Sequence, residues 1–70
     1  MRTVTAMMAG TVVDLLVTIG DRVNEGMEVA VLESMKMQLP IQSTWSGTVK
    51  EVKVKAGDFV NQDDPILVIE

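Results

Sequence analysis

Gly10-Thr11-Val12-Val13-Asp14-Leu15-Leu16-Val17-Thr18-Ile19-Gly20-Asp21-Arg22-Val23-Asn24 returns 37 positions later as Gly47-Thr48-Val49-Lys50-Glu51-Val52-Lys53-Val54-Lys55-Ala56-Gly57-Asp58-Phe59-Val60-Asn61. The register persists beyond these stretches, with Val31 on Val68, Glu33 on Glu70, Val29 on Ile66 and Leu32 on Ile69. A fixed offset of this kind means that one supersecondary unit occurs twice. Short runs of Val, Ile, Leu and Thr, separated by Gly-Asp and by Asn-Glu-Gly or Asn-Gln-Asp-Asp, read as strands joined by tight turns. No segment has an N-cap followed by a sustained 3.6-residue apolar period, so helix is not expected. Strands are expected near 3–5, 11–17, 22–24 and 27–33, with echoes near 37–43, 48–55, 59–61 and 64–70.

Working outward from the repeat, Val49 is out of phase with Val52 and Val54, and Val12 with Leu15 and Val17. One extra residue in each copy restores the alternation, which places β-bulges near Val13-Asp14 and Lys50-Glu51. Two four-strand units that cannot each bury a sheet face alone are expected to pack face to face about a pseudo-two-fold axis. The fold class is therefore all-β, a flattened barrel or sandwich of two four-stranded antiparallel sheets, forming one domain over 1–70. The expected core is Val12, Leu15, Val17, Val23, Val29, Val31, Ile41, Val49, Val52, Val54, Val60, Ile66 and Val68. Val13 and Leu16 stand where the second copy has Lys50 and Lys53, and read as ordinary scatter of apolar residues over a surface.

Composition narrows the function. The chain has no cysteine and no histidine, which excludes disulfides, thiolate or imidazole metal sites and imidazole-dependent catalysis. Ten acidic residues against six basic ones, a net charge of −4, argue against a phosphate-backbone partner, so no nucleic acid is expected. No apolar run reaches membrane-spanning length and no basic start leads into an apolar stretch. A cytoplasmic setting, no membrane and a monomeric isolated domain are the expectations. Asp14, Asp21, Glu25, Asp58 and Asp63 fall at turns or outward strand positions, where solvated charge is the ordinary meaning. No catalytic residue and no metal ligand is assigned.

The repeat also isolates the junction. Ser34 to Leu39 have no counterpart, because their mates fall in the gap between the chain ends. A hairpin must reverse there, yet no Gly, Pro, Asn or Asp lies between Gly26 and Pro40. The reversal falls to Ser34-Met35-Lys36-Met37-Gln38, with Lys36 near its tip. A local rule broken at one place is expected where function is carried. The tip offers one primary amine between two adaptable thioethers.

Glu33-Ser34-Met35-Lys36-Met37 resembles the attachment motif of the biotinyl carrier domains, most often E-A-M-K-M, in which the lysine ε-amine carries biotin. Met8-Ala9-Gly10-Thr11-Val12, Gly20-Asp21, Gly47-Thr48-Val49, Gly57-Asp58 and Val60-Asn61 are similar to the flanking strands of that family. The stretch 33–41 is most similar to the small free-standing biotin/lipoyl attachment proteins. The resemblance implies the barrel-sandwich hybrid fold, covalent biotin on Lys36, and ligase recognition through Glu33, Met35 and Met37. It implies three partners: a biotin protein ligase, a biotin carboxylase and a carboxyltransferase. Ser34 in place of alanine and Ser43-Thr44 in place of Ala-Pro depart from the pattern without touching the acceptor. The short Thr18-Ile19 segment leaves no room for the thumb insertion of some bacterial carriers.

A free lysine amine, with a pKa near 10.4, is only about one-thousandth neutral at pH 7.4, so the chain is not expected to modify itself. By the resemblance, a ligase activates the biotin carboxyl as an acyl-adenylate and helps deprotonate Lys36. The chain is then a non-catalytic biotin carboxyl carrier, a swinging arm within a carboxylase system. Two alternatives stay open: a lipoyl carrier of 2-oxo acid dehydrogenase or glycine-cleavage type, with lipoate on the same lysine, or an unmodified hybrid-barrel interaction module.

Overall fold

A computed structural model describes all 70 residues, Met1–Glu70. Its regular structure is entirely strand: β1 (Arg2–Thr5), β2 (Gly10–Leu15), β3 (Arg22–Val23), β4 (Glu28–Ser34), β5 (Met37–Gln42), β6 (Gly47–Val52), β7 (Phe59–Val60) and β8 (Pro65–Ile69). These are the eight strands read from the repeat, each within a few residues of its expected limits. All pairings are antiparallel, in two four-stranded sheets ordered β1-β8-β6-β3 and β5-β4-β2-β7.

The order corrects the picture of one copy per sheet. Each sheet takes two strands from each copy, so the halves interlock instead of merely facing one another. Four pairings cross between the copies: β1 with β8, β4 with β5, and those of the two short strands, β3 with β6 and β7 with β2. The turns before β3 and β7 repeat across the axis. The Asp21 carboxylate accepts from the Thr18 N–H at 2.9 Å and the Asp58 carboxylate from the Lys55 N–H at 3.0 Å. Val12 N–H donates to the Asp58 carbonyl and Val49 N–H to the Asp21 carbonyl, both at 2.8 Å. The recurrent Gly-Asp pairs thus stitch the copies together, with each carboxylate reaching back to the first N–H of its own four-residue turn.

The two expected bulges are present, with register shifts between Val12 and Asp14 and between Val49 and Glu51. A second two-fold pair was not read from the sequence. β4 and β5 slip between Glu28 and Ala30, leaving Val29 extra, and β1 and β8 slip at Val4/Thr5, leaving Ile66 extra. Each bulge reverses the inside–outside phase of the residues after it. Ala30, Leu32, Leu67 and Ile69 consequently join the buried core, whereas Val31 is only half-buried and Val68, though buried as expected, stays outside the main cluster.

Of the other expected core positions, Val12, Val17, Val23, Val29, Ile41, Val49, Val60 and Ile66 are buried, with Leu15, Val52 and Val54 half-buried against them. Val4 and Ala6 complete the cluster. Ser43, the mate of Ala6, is also buried; its hydroxyl accepts from the Trp45 N–H and donates to the Trp45 carbonyl, so no buried side-chain polar atom lacks a partner. The Arg2 guanidinium lies 4.3 Å from the centre of the Trp45 ring, tying the first strand to the turn before β6.

Candidate modification site at the β4–β5 hairpin

In the β4–β5 ladder Glu33 faces Gln38 and Ser34 faces Met37, leaving Met35 and Lys36 as a two-residue loop. Their φ angles are +54° and +65°. Positive φ at both central residues is the type I′ hairpin arrangement, normally written Asn-Gly because side chains crowd the carbonyl in the left-handed region. Two ordinary side chains there cost about 1–2 kcal/mol each. The strands below hold the turn: β4 lies inside its sheet, between β5 and β2, and its Ala30 and Leu32 are fully buried. Such strain persists where surrounding structure overdetermines it, and it collects at functional sites.

The turn projects all three tip side chains. Met35 is 88% and Met37 59% exposed. Lys36 is exposed and belongs to neither of the protein's two ion pairs, Lys50–Glu70 and Lys53–Glu51. Glu33 sits one ladder step below on the outer face, paired with Thr11 on one side and Gln38 on the other. The four residues singled out in the sequence therefore occupy one hairpin, with the amine at its loop. Met37 opens β5, as the strand expected near 37–43 required, and what the sequence did not show is that Met35 shares the two-residue loop with Lys36.

The tip is chemically simple. It has no carboxylate paired to the lysine, and the surface depressions lie elsewhere, one beside Met7, Leu39 and Pro40 and the other beside Val54, Phe59 and Pro65. No set of acidic side chains is gathered as metal ligands. A group bonded to Lys36 Nζ would extend into solvent, so the exposed, unpaired amine fits a covalently carried group. The two-fold mate of the Glu33–Gln38 step is the place where Glu70 and Met1 end, in the other sheet. The axis thus relates the acceptor hairpin to the chain termini.

Comparison with known proteins places this geometry. A family model described as "Biotin-requiring enzyme" matches residues 2–69. The "Biotin/lipoyl attachment protein" of Bacillus subtilis is 54% identical over 65 residues, covering 93% of this chain and 89% of that protein. The "Biotin carboxyl carrier protein" of Streptococcus mutans is 39% identical over 67 residues, with the match covering 96% of this chain and 52% of the relative. Among solved structures, the Kluyveromyces lactis urea carboxylase superposes with a TM-score of 0.90 at 29% identity, over 99% of this chain and 6% of that one.

Proposed function

The chain belongs to the biotin/lipoyl attachment family, and on that premise we propose that it is a biotin carboxyl carrier whose acceptor is Lys36. The observation that carries this reading is the Met35-Lys36 loop: two non-glycine residues held at positive φ, with an exposed amine free of any ion pair. A fold that needed only a turn would place Asn-Gly here.

The chain's own contribution is presentation. Lys36 Nζ, once neutral, attacks the activated carboxyl of biotin; an amide forms, the activating group departs, and the ammonium proton passes to a base on the ligase. Lys36 has no base of its own to take that proton, so activation lies with the partner. The short loop limits the ordering the ligase must impose before Nζ is aligned. Bound biotin supplies the carboxyl-carrying chemistry, and the rigid sheets beneath leave the lysyl arm as the moving part. The enzymes it serves are a biotin carboxylase and a carboxyltransferase. The chain spans about half of the carrier relative and a small fraction of the carboxylase it superposes on.

Intact mass spectrometry tests the assignment. After incubation with biotin protein ligase, biotin and ATP, the wild-type chain should gain one biotinyl group and Lys36→Arg none. A modified Lys36→Arg chain, or an unmodified wild type, overturns it. Lipoate is the second reading, favoured by the name of the Bacillus subtilis relative, in which both groups are mentioned. A parallel incubation with lipoate ligase separates the two by the mass of the adduct.

A further inference from the structure

The repeat supplies an internal control for the outer surfaces. In the strands of β1-β8-β6-β3 the charged residues are Arg2, Arg22, Lys50 and Glu51; in those of β5-β4-β2-β7, which bear the Lys36 loop, they are Asp14, Glu28 and Glu33. At three equivalent positions the difference is one of kind. Phe59 stands where the other copy has Arg22, Val13 where it has Lys50, and Leu16 where it has Lys53. Phe59, Val13 and Leu16 are 66%, 36% and 46% exposed, and the side chains of Lys50 and Lys53 are each 43% exposed. The positions are exposed in both copies and the fold accepts cations at their mates. Burial therefore does not account for the apolar residues.

The position of Phe59 and Val13 relative to Lys36 gives them a use, with Leu16 farther along, just past the end of β2, where its N–H donates to the Val29 carbonyl. Phe59 pairs with Thr11, Thr11 with Glu33 and Glu33 with Gln38, forming one outward row directly below the Ser34–Met37 step. With strands spaced near 4.8 Å, Phe59 stands about 10 Å across the face from Glu33. Val13, two residues along β2 from Thr11, is the bulged residue of its strand, and bulges re-aim side chains. We propose that the outer face of β5-β4-β2-β7 is the docking surface for the biotin-attaching ligase, with Phe59, Val13 and Leu16 as apolar contacts inside an acidic rim of Asp14, Glu28 and Glu33.

This rests on Lys36 being the acceptor. The ligase is the occupant because amide formation happens at Nζ, one side chain from the loop, so its footprint must cover the hairpin and what adjoins it. Enzymes that act on the carried group meet it farther out. The complementary ligase surface is an apolar patch edged by Lys or Arg. A second copy does not meet that requirement, since a two-fold dimer through this face would bring Asp14, Glu28 and Glu33 against their own kind.

The symmetry also supplies the test. Phe59→Arg, Val13→Lys and Leu16→Lys install the residues that their mates already carry, and Lys50→Val with Lys53→Leu makes the reverse exchange on the other sheet. Biotinylation rates by purified biotin protein ligase are measured against carrier concentration, with circular dichroism and thermal melts confirming that each variant folds. The triple variant should raise KM for the carrier about tenfold or more while kcat stays near wild type, and Lys50→Val/Lys53→Leu should leave KM unchanged. Rising salt should raise the wild-type KM. A folded triple variant with wild-type KM overturns the docking surface while leaving the Lys36 assignment intact. A wild-type dimer in sedimentation that the triple variant loses would also overturn it, by giving the face to self-association. Failure of the wild type to accept biotin would instead strike the Lys36 assignment.

Discussion

Gly10 lies so close to Glu33 that a Cβ built on it would fall 2.6 Å from the Glu33 carbonyl oxygen and 3.0 Å from Leu32 Cγ, and Gly47 meets the Glu70 carbonyl at the same 2.6 Å. Neither glycine can take a side chain without moving a backbone. Gly10→Ala should therefore cost about 1–3 kcal/mol, read as a lower urea midpoint. Gly47→Ala should weaken the fold comparably. Only Gly10→Ala displaces the strand beneath the acceptor loop, so only it should also slow biotinylation.

Lys36→Gly relieves a left-handed side chain and should raise stability by about 1 kcal/mol while abolishing modification. Lys36→Arg should abolish modification without that gain. Urea denaturation of the two variants checks both statements; equal midpoints would mean that the loop stores no strain.

Met35→Asp with Met37→Ala moves the loop toward the lipoyl pattern. Both methionines are exposed, so the melting temperature should hold within a few degrees while the rate of biotin transfer falls. An unchanged rate would show that the ligase does not read these side chains.

Glu51 is held below the ordinary carboxylate range, first by its hydrogen bond with Lys53 and then by that residue's charge. A carboxyl with a depressed folded pKa contributes stability above its unfolded pKa and loses it as pH falls through the folded value. Because both side chains are exposed and screened, the effect at neutral pH should be small. Lys53→Leu should move Glu51 back toward ordinary titration, with the weaker pull of Lys50 remaining, measured from its carboxyl carbon shift, and flatten the acid limb of the stability curve. High salt should mimic the substitution in part.

Much of this fold was legible because the chain states it twice. Gly10-Thr11-Val12 and Gly47-Thr48-Val49 set the offset, and the phase slips after Val12 and Val49 located two bulges. The bulges at Val29 and Ile66 were hidden, because Val29-Ala30-Val31-Leu32 and Ile66-Leu67-Val68-Ile69 are apolar at every position and leave no polar residue to mark a change of phase. The interlocking was also hidden, since β3 and β7 are two residues long and their partners are set by turn hydrogen bonds. The acceptor hairpin could be read from what it lacks, the Gly, Asn or Asp of a normal turn. Phe59 escaped notice because its position matters only once β7 is seen beside β2.

Arg2 pairs with Ile69 across an antiparallel ladder, with Met1 and Glu70 just beyond them at the same margin of the sheet. A pull on the two ends would load those hydrogen bonds one after another, as in opening a zipper, and β1 would peel away while the interior of the other sheet stayed intact. Tension applied through the termini would thus act first at the margin that the two-fold axis relates to the Lys36 hairpin. Any linker attached there serves best when slack, with the lysine's own side chain covering the last distance to an active site.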